Sequence, residues 1–542
     1  MPLKPLLIGA CLALLHAPAQ AQTTTDATQM GERAFEGAQW ILATKASRAV
    51  AQMGARAAKG DGPLALLIRE RQQTEADLTK ARSLYAVQFS NADAKITRAR
   101  LQEVEDALAE LDVEIREQFP NYAEFSNPKP LSYQELREQL APNEGLLLFL
   151  SAPFATYVWA VSNQGQSWHR ADVSAAQLGD RIRYLRRDLD PTALVRAAVP
   201  LPAPSTPAKS AFDFPKAHAL FSDLITPVLP VLDKVDHLYV VKDGALSGLP
   251  LAVLLTDTPS DKVTFSNAPW LVRRFALTTL PGVSSLPSIR AAAAMTADAP
   301  ELSGFVGFGN PDFDGASTQS GPASRAMGAF FDGHGTLTDA VRSLAPLPGT
   351  ARELRDVSGL FPPELASVFT GPKATETNVK TAPLETAKII SFATHGLITG
   401  DLTGLAEPAL AFTPPQIGSE QDDGLLTASE AAELQLNADW VILSACNTAA
   451  GDGTPGAEGL SGLARAFLFA GARSILVSHW PVRDDVTATL TKETLARLQH
   501  DPDLGKSQAL RLSMLDLISQ PDPSGLAHPS AWAPFVVVGD GN

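Results

Sequence analysis

Cysteine is almost absent from this 542-residue chain, which carries only Cys11 and Cys446. Cys11 lies in a segment that reads as removed on export, so an internal disulfide framework is excluded. The nine histidines are scattered, with no close His/Cys pair, so the ligand spacing of a zinc site is missing. No metal and no cofactor are expected. Positive charge is also short: the formal net charge is −15 and the pI near 5.1. That balance argues against a nucleic-acid partner, which needs basic patches. Beyond the N-terminus, no apolar run approaches the roughly 18 residues that span a bilayer. No internal repeat of fixed period is present, although a lone degenerate helical repeat fits within the first helix. What remains is ordinary globular composition, 45% hydrophobic and 19% charged. That is enough for a sizeable core and two or three domains.

The first 21 residues read as a signal peptide. Met1 to Lys4 supplies a positive start, Leu6 to Leu15 an apolar stretch, and Ala19-Gln20-Ala21 a small-x-small cleavage site. Cleavage after Ala21 would give an exported protein, periplasmic or extracellular; lipid attachment through Cys11 is the alternative. The exported protein then has one unpaired thiol, Cys446. A buried apolar cysteine is one reading of it and a reactive thiol the other.

Residues 26–126 read as helical. Asp26 can cap a first helix bearing Phe35, Trp40, Ile41 and Val50, and Pro63 starts a second that runs to about Phe89. Leu101, Val104, Leu108, Leu111 and Ile115 make an a/d seam on a third. The expected product is a helical hairpin or short bundle, with a protein-binding surface as the sharper reading. From 140 onward, apolar runs alternate with helical patterns, which implies a mainly parallel α/β sheet flanked by helices. The expected divisions are 140–340 and 341–542. Runs expected as strands are Leu146–Leu150, Tyr157–Val161, Leu238–Val241, Phe305–Gly309, Ser474–Ser478 and Phe535–Val538. A Pro/Ala-rich stretch at 199–211 and a Gly/Ser/Asp-rich stretch to about 335 read as loops.

The chemistry concentrates between Lys388 and Cys446. Ile389–Thr394 reads as a buried strand running into His395-Gly396, and Trp440–Ala445 as a second that breaks at Cys446-Asn447. Between them Thr427-Ala428-Ser429-Glu430 has capping-box spacing and opens a helix through Leu436. Strand, helix, strand implies a parallel pair. His395 and Cys446 then stand at the carboxyl ends of their strands, where open α/β sheets carry their sites. A thiol attacks as thiolate and needs a proton acceptor beside it, which imidazole provides near neutral pH. Gly396 leaves room for substrate, and its N–H with that of Cys446 suits an oxyanion. The histidine precedes the cysteine by 51 positions, near the order seen in caspases, where the interval is about 50.

Other motifs lead nowhere. Gly505-Lys506-Ser507 resembles the end of a phosphate loop, but His500 stands where the first glycine belongs. Gly244-Ala245-Leu246-Ser247-Gly248 lacks the spacing of a serine-hydrolase elbow.

Several of these segments resemble the CHAT family. They are Ser391–Gly396, Leu443–Ala449, Glu458–Phe467, Trp480-Pro481-Val482 and Trp532–Asp540. The resemblance is specific from about 344 to 540 and looser back to about 140. CHAT domains are related to caspases and separase and are often preceded by tetratricopeptide helices. The resemblance implies a caspase-like sheet and carries the family's catalytic histidine onto His395 and its nucleophile onto Cys446. By analogy with caspase-type proteases, Ser478, His479 and Trp480 border a substrate cleft. His479 departs from the leucine that many members place before the tryptophan, and the N-terminus departs by lacking a clear repeat array.

The expectation is an exported caspase-like cysteine endopeptidase acting on a protein or peptide held as an extended strand. The alternative is a catalytically silent CHAT scaffold that binds a protein partner through its N-terminal helices. Asp484 and Asp485 follow the cleft segment. They read either as caps of the helix starting near Val486 or, through Asp484, as a pocket charge selecting a basic residue before the cut. Asp452 and Glu458 are rival sources of that preference.

Overall fold

The computed structural model describes residues 30–42, single positions between 66 and 74, 93–118, 129–190, 212–290 except 288, 304–313, 337–444 except 400, 403, 404, 406 and 420, and 462–542 except 481 and 522–524. The signal-peptide segment, the stretches at 199–211 and 314–335, and Cys446 with the loop after it lie outside those residues.

In chain order the strands are β1 (Glu144–Ser151), β2 (Thr156–Ser162), β3 (Gly165–Ala171), β4 (His237–Val241), β5 (Ala276–Thr279), β6 (Gly304–Pro311), β7 (Ala366–Gly371), β8 (Ala387–Ala393), β9 (Gly396–Leu397), β10 (Ala409–Ala411), β11 (Leu425–Thr427), β12 (Trp440–Leu443), β13 (Ser474–Ser478) and β14 (Phe535–Gly539). The helices used below are α1 (Asp93–Gln118), α2 (Tyr133–Gln139), α3 (Ala175–Leu189), α4 (Phe214–Leu224), α5 (Leu337–Arg342), α6 (Pro348–Ser358), α7 (Glu376–Thr381), α8 (Ala428–Glu433), α9 (Gly462–Phe469), α10 (Asp484–His500), α11 (Lys506–Ser519) and α12 (Pro529–Trp532).

Eleven strands form one sheet in the order β3-β2-β1-β4-β5-β14-β13-β12-β8-β6-β7. Strands β1, β4, β5 and β14 run parallel, as do β13, β12, β8, β6 and β7. The two blocks meet head to tail where β13 pairs antiparallel with β14. The expectation of a mainly parallel sheet flanked by helices is met, with an internal reversal that the apolar runs do not reveal.

Alternate side chains of the buried strands serve two layers, as the period of two demands. On one face Leu147, Val240, Leu476, Ile442 and Ile389 pack under α3, α4, α6, α10 and α11 with Trp270, Trp480 and Trp532. On the other, Phe308, Phe392, Val441, Leu443 and Val477 pack against α7, α8 and α9. The same face over β1, β2 and β4 is covered by α2 and by the helix at 30–42. Phe35 stacks on Tyr133 at 4.7 Å, and the Gln39 amide exchanges two hydrogen bonds with the backbone of Leu131. The described part of the first helix thus packs into the α/β core. Leu67 instead contacts Leu111 and Ile115 of α1, with Arg71 bridging to Asp112 at 2.6 Å.

The capping box at Thr427 is present, its side chain accepting from Glu430 N–H while Glu430 accepts from Thr427 N–H. Helix α8 then ends at Glu433, one turn before the expected Leu436. Gly471 ends α9 with φ of +111°, and a Cβ there would lie 2.1 Å from the Leu436 carbonyl oxygen.

Candidate functional site

Strands β8 and β12 are parallel neighbours with Leu443 opposite Phe392. His395 follows Phe392 by three residues and Cys446 follows Leu443 by three. The chain therefore leaves both strands at the same height on the carboxyl-end rim of this block. His395 is described there; Cys446 is not.

The imidazole of His395 is buried, 2% exposed, and its Nε2 lies 2.8 Å from the Ala345 carbonyl oxygen. A carbonyl only accepts, so Nε2 carries the proton, and in the neutral ring Nδ1 is the basic nitrogen. Ala345 sits in the short link between α5 and α6. The Phe313 ring, just beyond β6, flanks the imidazole at 5.7 Å. Below, the Thr394 hydroxyl donates to the Ala411 carbonyl, and Ala411 N–H donates to the His395 carbonyl at 3.0 Å. Backbone and ring are thus held from three sides.

Gly396 pairs with Leu410. The adjacent pair, His395 with Ala411, is the hydrogen-bonded one, so Gly396 occupies the alternate kind, whose N–H points away from the partner strand. Among the described residues β9 is an edge of its three-stranded sheet. The Gly396 N–H therefore faces outward from that edge.

Beneath the rim, Ser444 donates its hydroxyl to the buried Glu353 carboxylate of α6. This fixes the chain two residues before Cys446. The Thr350 hydroxyl, at the start of the same helix, accepts from Asn310 N–H at 2.7 Å. Asn310 is the one non-glycine described with positive φ, +46°. Helix α6 thus braces both neighbouring loops.

Of the residues expected to border a cleft, Ser478 ends β13, while His479 and Trp480 are buried with 1% and 0% exposure. Trp480 Nε1–H donates to the Ser530 carbonyl at 3.0 Å, within the α10–α12 layer. The side chains of both residues are therefore enclosed within the protein. Burial, then the charges of Lys242 and Arg186, hold the His479 imidazole well below its ordinary pKa, so it stays neutral. Asp485 pairs with Arg483 at 2.5 Å. Asp484 is half-buried against the N-terminus of α6, where a Cβ on Gly349 would lie 2.0 Å from its Oδ2. It stands beside the link that carries Ala345.

The other sequence motifs have structural uses. Lys506 pairs with Asp439 at 3.2 Å and Asp540 at 3.9 Å, and Ser247 is buried in a 3-10 turn. Among the described residues no group of three His, Cys, Asp or Glu side chains could hold a metal, and no helix is long and apolar enough to cross a membrane. Sequence reasoning missed Ala345, Phe313 and Glu353, which carry no local signal of proximity to the histidine.

A family model described as the CHAT domain matches residues 215–540, more than half of the chain. The chain belongs to the CHAT family. Tetratricopeptide repeat protein 28 of Homo sapiens is 28% identical to this CHAT chain over 370 residues, and that of Mus musculus 27% over 365. The matches cover 61% and 60% of this chain but only 13% of each relative. Among solved structures, the Saccharomyces cerevisiae separase–securin complex aligns over 83% of the CHAT chain and 34% of its own, with 12% identity and a TM-score of 0.41. The arginine-specific cysteine proteinase gingipain R aligns over 68% and 74%, with 10% identity and a TM-score of 0.33.

Proposed function

We propose that this CHAT chain is a cysteine endopeptidase of protein or peptide substrates. Cys446 attacks the scissile carbonyl, and the Cys446 proton passes to Nδ1 of His395 and then to the leaving amine. The N–H groups of Gly396 and Cys446 hold the oxyanion, and water then hydrolyses the acyl-enzyme with His395 as base. The observation that carries the reading is the anchoring of His395. Its Nε2–H is committed to Ala345 at 2.8 Å, which leaves Nδ1 as the basic atom at the height where the β12 chain reaches its cysteine. The segment from Ser478 to Asp484 borders the substrate, and Asp484 selects for a basic side chain. Action outside the cytoplasm, after cleavage at Ala21, belongs to the same proposal, as does recruitment of a protein partner by the N-terminal helices.

The test is labelling of the full chain with a thiol-reactive peptide probe, before and after His395→Ala. The expected result is one label at Cys446, with the rate reduced about 10²–10⁴-fold in the variant, as for loss of a positioned proton acceptor. The fold should be kept, with stability lowered by about 1–3 kcal/mol because the Ala345 carbonyl loses its donor. Equal labelling of both proteins would remove His395 from the chemistry. No labelling of the parent would favour the silent scaffold.

A further inference from the structure

The end of β13 has a gap in its hydrogen-bond ladder that a distant side chain fills. In the antiparallel pairing of β13 with β14, Ser478 stands opposite Phe535, so His479 stands opposite Pro534. His479 N–H donates to the Pro534 carbonyl at 2.9 Å. This is a pair whose members would normally exchange two hydrogen bonds. Proline has no N–H, so the return bond to the His479 carbonyl cannot come from β14. It comes instead from Arg186, whose Nη2 lies 3.1 Å from that carbonyl oxygen. Arg186 is near the end of α3, 293 residues away in sequence. Its guanidinium is aimed by Asp190 one turn on, Nη2 to Oδ2 at 3.0 Å, and its Nη1 donates to the Gly248 carbonyl at 3.2 Å. Asp190 is itself buried, with 3% of its side chain exposed.

We infer that Arg186 is a positioning residue for the substrate-binding segment, fixing the point at which the chain leaves β13 for Trp480, Val482 and Asp484. The inference rests on the proposed peptidase function in assigning that segment to the substrate. The geometry of the gap does not depend on it. Proline at 534 ends the two-strand pairing, and the arginine replaces the missing donor with a charged one, which binds a carbonyl more strongly than an amide does. Because Asp190 and Gly248 hold the guanidinium, the exit of the segment is tied to the N-terminal half of the sheet. The segment's position relative to β12, the nucleophile's strand, is then set from both sides.

The experiment compares the parent with Arg186→Ala, Arg186→Lys, Pro534→Ala and the double variant R186A/P534A. Three readouts are used: peptide cleavage, alkylation of Cys446 by iodoacetamide, and amide exchange over residues 482–486. Loss of one charge-assisted hydrogen bond should raise KM about tenfold in R186A and leave kcat within about twofold. Iodoacetamide needs only the thiol and its base, so alkylation should hold. Arg186→Lys should fall between. Pro534→Ala restores an N–H at the gap, so the double variant should recover most of the lost KM and slow the exchange that R186A accelerates. Unchanged KM and exchange in R186A would overturn the inference. So would a parallel loss of cleavage and alkylation that P534A does not rescue, since that is general destabilisation. If R186A does not fold, the same comparison between Arg186→Lys with and without Pro534→Ala decides the matter. If the parent cleaves no peptide, the peptidase reading fails alone, and the exchange data still decide the role of Arg186.

Discussion

Lys242 is a group whose titration should be visible in the stability of this protein. It follows β4 into the interior, where its ammonium donates to the Leu249 carbonyl at 3.2 Å. Burial, then the nearby Arg186 charge, pushes its pKa down from the ordinary 10.5 to about 7. Between those two values the unfolded chain holds a proton that the folded one has released. Stability therefore rises with pH across that window, by about 1.4 kcal/mol per unit, and is at its lowest, with no slope from this group, below about pH 7. From pH 7, where the group is half-titrated, to pH 9 the rise from this one residue is about 2.3 kcal/mol. Lys242→Met keeps the aliphatic stem and deletes the titration. It also leaves the Leu249 carbonyl without this donor, a penalty of about 1–3 kcal/mol that shifts the whole curve and not its slope. The measurement is urea unfolding of parent and variant at pH 6, 7, 8 and 9, with stability taken from midpoint and slope. The variant should gain most on the parent at pH 6–7 and lose that relative advantage steadily toward pH 9. Parallel curves, with a difference that does not change from pH 7 to 9, would refute the reasoning and mean that Lys242 keeps its charge in the folded state.

Two further outcomes can be checked separately. Gly471→Ala forces a side chain into positive φ and against the Leu436 carbonyl 2.1 Å away, so it should cost about 2–4 kcal/mol in the same urea assay; a loss below about 0.5 kcal/mol would mean the α9 turn relaxes freely. Cleavage of a mixed peptide library should show Arg or Lys enriched just before the cut, and Asp484→Asn should weaken that enrichment more than it lowers stability. Acidic or bulky apolar residues in that place would leave Asp484 as a support for the α6 N-terminus.

The strands that sequence reveals are those buried on both faces. β1, β2, β4, β8, β12, β13 and β14 are continuous apolar runs, and each is almost wholly buried. β3 and β7 escape notice because they are the two edges of the sheet, half-covered and mixed in composition, as in Gly165–Ala171 with its Gln, Ser, His and Arg. β5 has four residues, and β9 to β11 two or three each, too few for any period to register. At the site, the neighbourhood of β8 and β12 was legible because one crossover joins two strongly apolar strands. The Ala345 carbonyl was not, since any residue presents the same backbone oxygen. Arg186 was hidden for a different reason: its purpose appears only once Pro534 is known to stand opposite His479. Phe35 reads as one apolar residue of the first helix until β2 supplies Trp159, 6.4 Å from its ring.

The head-to-tail junction of the two strand blocks also sets an order of events during synthesis. β14 is the last strand in the sequence, yet it lies between β5 and β13 near the middle of the sheet. Until residues 535–539 have left the ribosome, the halves ending at β5 and β13 share no ladder, and each presents a raw interior edge of the kind that recruits foreign strands. Domains otherwise begin folding as the chain emerges, at about 5–20 residues per second. Here the seam closes only with the final strand, which also brings Pro534 opposite His479. In a nascent or truncated chain lacking those residues, β5 and β13 both become unpaired edges.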